Sequence, residues 1–276
     1  MSGGFMLTSL IEMLNYGFIL RAFIAGIIIT LCAALIGSSL VLRRQSMIGD
    51  GLSHVAFGSV AIATVLGFAP LEFSIPIVII AAIIILNLSQ NSKINGDAAI
   101  AVLSASALAI GTFLISINQG VNIDVNSYLF GSILAINEHD LILCLVLGII
   151  IIFVFLIFRR QIFAITFDES FARAIGIKVD LYNAILAILC SLVIVIGMRM
   201  LGALLISSLI IFPCLSALYL SKNFRQNTII ATTISVFCFI VGLTFSYILN
   251  TPTGATIVIA NLIALILCRI YHVIQK

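Results

Sequence analysis

Between Ile142 and Phe158 the chain runs 17 residues without one polar side chain, and Ile77 to Leu86 repeats the pattern over ten more. A stretch that is apolar on every face has no side to offer water, so it lies inside a large core or inside a bilayer. Of 276 residues, 63% are hydrophobic and 8% charged, too few polar groups for a soluble surface, since about a quarter of the residues in a soluble domain are charged. The chain reads as a polytopic membrane protein. Transmembrane barrels alternate apolar and polar residues along each strand, and these runs do not, so helices are the spanning element and the fold class is all-α.

Hydrophilic breaks divide the sequence into nine spans, near 20–42, 50–68, 72–89, 98–118, 140–158, 181–198, 201–220, 228–249 and 255–271, with eight as the alternative count. Each is close to the length that crosses a hydrocarbon core about 30 Å thick. The link at Met198–Leu201 is very short, and residues 128–136 are long enough for a partial helix. Placing the N-terminus outside and the C-terminus in the cytoplasm puts all but two of the 13 lysines and arginines on the cytoplasmic side, the exceptions being Arg21 and Arg199. That distribution satisfies the positive-inside rule. Tyr16, Tyr128, Tyr182, Tyr219, Tyr247 and Tyr271 fall at or near span ends, where an amphipathic ring anchors at the interface in place of the absent tryptophan. The net charge of +3 therefore reports orientation and does not point to nucleic acid. No large soluble domain is present, so residues 1–276 form one transmembrane domain. The N-terminus has neither a basic leader region nor a small-residue cleavage site, and the first apolar segment is expected to stay as a span. The six cysteines lie singly within spans with no Cys-x-x-Cys pair, as expected of small buried hydrophobes.

Against this background Asp50 and His54 stand out, in Ile48-Gly49-Asp50-Gly51-Leu52-Ser53-His54 at the start of a span. Four residues along a helix is one turn plus roughly 40° and a rise of about 6 Å, so both side chains project from one face toward a common point. Ionisable residues inside a span are costly and normally face a pathway or a partner. Carboxylate with imidazole suits a divalent transition metal, zinc, manganese or ferrous iron alike. The structural alternative is a hydrogen-bonded pair at the membrane boundary. His139 and Asp140, in Asn137-Glu138-His139-Asp140, read instead as a solvated helix start with Asn137 as cap, the acids gathering cations at an outer mouth. His272 lies in the terminal polar segment and is expected to be solvated.

The connection from Arg159 to Asp180 reads as a short amphipathic helix near 166–177. Thr166 and Glu169 have the spacing of a capping box, Phe167, Phe171, Ala174 and Ile175 follow helical spacing, and Gly176 supplies the stop. So short a helix is marginal in water unless something packs on it. It either lies on the headgroups or docks into a cytoplasmic partner, and these residues alone leave both readings open.

Enzyme signatures are missing: no Gly-x-x-x-x-Gly-Lys-Ser/Thr, no His-Glu-x-x-His and no Gly-x-Ser-x-Gly occurs. A secondary transporter or channel is the main rival to a subunit driven from outside. It would need several buried carboxylates to couple protons or sodium, and Asp50 is the only acid placed to enter a span.

Four groups of residues, in order, carry a resemblance to a known family. They are Arg44 with Ile48–His54 and Gly58; Asp168-x-x-x-Ala172-x-x-x-Gly176-Ile177; Gly202-Ala203-Leu204-Leu205 leading to Pro213 and Ala217; and Pro252-Thr253-Gly254-Ala255. The chain resembles the membrane permeases of bacterial ABC importers for zinc, manganese and chelated iron, and is somewhat more similar to the zinc-uptake permeases. The resemblance implies a homodimer in the bacterial cytoplasmic membrane, with a separate cytoplasmic ATPase gripping a coupling helix at Asp168, Ala172 and Gly176. An extracytoplasmic metal-binding protein would deliver the cargo, and Asp50 and His54 would line its path. No cofactor is implied, because the metal is what is carried.

Overall fold

The computed structural model describes residues 17–91, 96–118, 131 and 137–275. Tyr16, Lys93, Asp124, Tyr128 and the stretch weighed as a partial helix, apart from Gly131, lie outside the described residues. Among the described residues there are eleven helices: α1 Gly17–Leu42, α2 Met47–Leu66, α3 Pro70–Asn91, α4 Gly96–Ile117, α5 Glu138–Ile157, α6 Arg159–Phe167, α7 Glu169–Ala174, α8 Val179–Leu201, α9 Ala203–Leu220, α10 Phe224–Leu249 and α11 Thr253–Ile274. The nine long ones coincide with the nine expected spans. Among the described residues eight are long and apolar enough to cross a membrane, and α3 contributes a shorter apolar stretch, Pro70–Leu86.

Helices α1, α2, α8 and α9 form the interior of the bundle, while α4, α5 and α11 keep most of their surface exposed. Lipid offers no hydrophobic driving force between helices, so association rests on close contact between small residues and on hydrogen bonds that cross from helix to helix. The sequence supplies both. On α1, Ala22 and Ala33 are fully buried, and a side chain at Gly26 or Gly37 would collide with Phe239 or the Ile210 carbonyl. Where α2 crosses α4, Gly58 lies against the Ala107 backbone and Gly111 against Gly58. Thiols complete the joints: Cys32 on α1 donates to the Gly148 carbonyl on α5 at 3.6 Å, Cys144 on α5 donates back to Ala25 at 3.9 Å, and Cys214 donates to Ala34 at 3.5 Å. Five of the six cysteines are buried and all are free, as expected.

Three local expectations change. Helix α8 runs through Met198–Leu201, and the break before α9 is the single residue Gly202, whose φ of 93° suits glycine. The connection after Phe158 is two helices, α6 and α7, and not one amphipathic helix; Thr166 donates its hydroxyl to the Ile162 carbonyl at 2.6 Å while Glu169 turns to Arg43, so the pair forms no capping box. His272 is half-buried, its Nδ1 2.9 Å from the Tyr219 carbonyl and its ring against Tyr219, because α11 packs alongside α9. Pro213 sits inside α9, which remains one helix.

Candidate metal centre

The link from α1 to α2 fixes where Asp50 begins. Gln45 N–H reaches the Leu40 carbonyl at 2.9 Å and Arg44 N–H reaches Val41 at 3.1 Å, the paired bonds of a Schellman cap. Arg44 takes the left-handed position with φ 59°, where glycine is usual. Helix α2 then enters the bundle between two neighbours. Glycine on either side of Asp50 permits this: a Cβ on Gly51 would strike Ile100 of α4, and one on Gly49 would press on Ile210 of α9. Ser53 donates to the Asp50 carbonyl at 2.7 Å and lies 3.5 Å from the Ser207 hydroxyl.

From Ile48 to Ala61 every residue is buried except Asp50 and His54. Their side chains are 45% and 24% exposed, and Oδ2 of Asp50 lies 3.8 Å from Nε2 of His54. That separation is too long for a hydrogen bond, so the hydrogen-bonded structural pair is not what the geometry shows. A cation about 2.0–2.2 Å from each ligand atom spans gaps up to about 4.3 Å, so one ion fits between the two with a wide ligand angle. Nδ1 of His54 is buried without a hydrogen-bond partner. Among the described residues no group of three or more His, Cys, Asp or Glu side chains converges. One copy thus offers two ligand groups, short of the four to six a divalent transition metal takes.

The opposite end of the bundle carries a separate set of charges. Asp140 is buried and pairs with Arg199 at 3.2 Å, whereas Glu138 and His139 are exposed and Arg21 approaches Glu138 at 3.6 Å. The solvated-start reading therefore holds for Glu138 and His139 but not for Asp140, and Asn137 makes no side-chain cap bond. The two arginines that depart from the positive-inside pattern each face an acid at the start of α5, which offsets their charge.

At the Asp50 end, α7 is set by the residues singled out in the sequence. Asp168 caps it, accepting from Phe171 N–H at 2.9 Å; Ala172 is fully buried against Ile165 and Val179; Gly176, at φ 84°, closes it, with Ile177 N–H bonded to the Ala172 carbonyl at 3.0 Å. Phe167, Phe171 and Ile175 point outward. Sequence reasoning missed the anchor of this segment. Arg43 forms an ion pair with Glu169 and donates to Asn183 Oδ1 at 2.8 Å, while Asn183 Nδ2 donates to Glu169 at 3.2 Å. Asn183 is fully buried. Its signal was an amide in the first turns of an apolar helix, where nothing but a polar partner explains it.

A family profile described as the ABC 3 transport family matches residues 15–272. Relatives include the manganese import system permease protein ScaB of Streptococcus gordonii, 32% identical over 90% of this chain and 88% of that protein. The manganese transport system membrane protein MntC of Halalkalibacterium halodurans is 31% identical over 90% of this chain and 85% of its own. Among solved structures, PsaBC from Streptococcus pneumoniae in complex with Fab superimposes with a TM-score of 0.85 at 30% identity, covering 95% of both chains. By its sequence over almost its whole length and by its helical architecture, this multi-pass membrane chain belongs to the ABC 3 transport family.

Proposed function

We propose that the chain is the membrane permease of a manganese importer, with Asp50 and His54 as ligands on the metal path. Its place as a metal ABC permease follows from the family, which sets the secondary-transporter reading aside; ATP is hydrolysed by another subunit. The cargo is the finer step. Both curated relatives above are named for manganese, and none of the names given there supports the expected leaning to zinc. Carboxylate ligands suit manganese, and neutral imidazole selects against calcium and magnesium, which prefer all-oxygen shells.

The observation that carries the site is the open Asp50–His54 face on the otherwise buried stretch Ile48–Ala61. Two copies across an axis bring two carboxylates and two imidazoles, and two aspartates neutralise a dication. Exposed Ala101, Ala105 and Ala109 on α4, beside α2, give the small-residue spacing that lets two such helices approach. In this assembly the α7 end faces the cytoplasm. The ATPase grips the segment held by Asp168, Ala172 and Gly176, with Phe167, Phe171 and Ile175 in the contact, and an extracytoplasmic binding protein delivers metal at the Glu138 end.

Uptake of radioactive manganese by cells carrying Asp50→Asn or His54→Ala tests the site. Each substitution is expected to abolish uptake while the complex assembles and retains its basal ATPase activity. Wild-type uptake in both would refute the assignment, and zinc uptake exceeding manganese uptake in the unaltered importer would refute the choice of metal.

A further inference from the structure

Helices α1, α5 and α10 enclose a cavity of about 260 Å³ at the end of the bundle that also holds Arg43 and α7. Arg159 and Arg225 line it together with Leu35, Phe155, Leu156 and Ile229. Among the described residues neither arginine has an ion pair or a side-chain hydrogen bond, although every acid on α7 and in the turns beside it lies within reach of a basic residue of its own or a cap. The polarity of the cavity runs along its helices, from arginines at helix starts to apolar side chains further in. Arg159 and Arg225 lie in the first turn of their helices, whereas Leu35 lies seven residues before the end of α1, about 10 Å deeper. Leu156 and Ile229 are each 56% exposed, so the apolar wall opens sideways toward hydrocarbon.

We propose that this groove binds an anionic phospholipid, its phosphate between Arg159 and Arg225 and an acyl chain along Leu156 and Ile229. Guanidinium groups match phosphate oxygens in charge and in planar geometry, and basic pockets between spanning helices are where anionic headgroups settle. The threonines on the wall do not compete for that role as donors: Thr228, Thr232 and Thr233 each give their hydroxyl hydrogen to a carbonyl one turn back. A soluble phosphate would use the arginines and leave the exposed apolar wall uncovered; a lipid covers both. The volume is below the roughly 300 Å³ of a pocket for a whole drug-sized ligand, which suits a headgroup whose chains lie outside it. Nothing in this assignment depends on the metal carried.

Native mass spectrometry of the purified full chain with phosphatidylglycerol and phosphatidylcholine reads the preference directly. At about fivefold for each arginine near an anionic headgroup, the expected preference for phosphatidylglycerol is about 25-fold, reduced to near parity in Arg159→Gln/Arg225→Gln. A second reading avoids altering the arginines. The chain has no tryptophan, so Thr233→Trp places one reporter on the groove wall, and brominated phosphatidylglycerol is expected to quench it more strongly than brominated phosphatidylcholine. Equal quenching by the two lipids, an unchanged preference in the double variant, or inorganic phosphate held by the lipid-free chain as tightly as the lipid would each overturn the proposal.

Discussion

Arg43 and Glu169, 126 residues apart in sequence, pair across the gap between the end of α1 and the short helix α7. The arginine side chain is 6% exposed and the glutamate 36%. Burial pulls the guanidinium below its ordinary value and the adjacent carboxylate works in the opposite direction. Four residues beyond Arg43 begins the helix that carries Asp50 and His54, so the segment proposed to meet the ATPase and the proposed metal ligands are connected through a single ion pair and one turn.

Glu169→Gln keeps the shape and the contact to Asn183 but leaves a buried guanidinium without its counter-charge. The permease is expected to lose about 1–3 kcal/mol of stability and, in the assembled importer, metal moved per ATP is expected to fall by about fivefold or more. Uptake and ATPase rates measured on the same proteoliposomes check this; an unchanged ratio would mean the pair is only structural.

At the other end, Asp140→Asn leaves Arg199 facing a neutral amide. A loss of about 1–3 kcal/mol is expected, and Asp140→Asn with Arg199→Gln should recover much of it, because neither partner is then left charged alone. Thermal unfolding of the three variants in detergent distinguishes pairing from a direct role of Asp140 in metal entry, which the double variant would not restore.

Gly58 lies where α2 and α4 are closest. Gly58→Val forces the helices apart and is expected to cost about 1–3 kcal/mol. Gly17→Val, at a position with open space around it, should be neutral by the same assay.

Orientation is checked by single added cysteines. Arg173→Cys is expected to react with a membrane-impermeant maleimide only from the cytoplasmic face, and His139→Cys only from outside. Reaction of both from one face would reverse or break the proposed threading.

The spans were legible because a run such as Ile142–Phe158 admits one environment. Asp50 and His54 were legible because charge inside a span has few explanations. The pairings were not. Asp140 resembles any acid at a helix start until Arg199, 59 residues away, is folded against it, and Glu169 has the spacing of a cap until Arg43 takes it. Periodicity reports which face of a helix is apolar; it carries no information about which distant charge will lie opposite. The same limit explains the segment around α7, where Phe167, Phe171 and Ile175 point outward, while the small Ala172 is the one that packs.

The thiols that stitch α1 to α5 and to α9 have a practical corollary. A water-exposed thiolate is what adds to the double bond of an impermeant maleimide, and these sulfurs face carbonyls of neighbouring helices inside the apolar bundle. Reporter cysteines can therefore be added while these three thiols stay in place, and Cys268, which is only half-buried, is the native thiol to replace first.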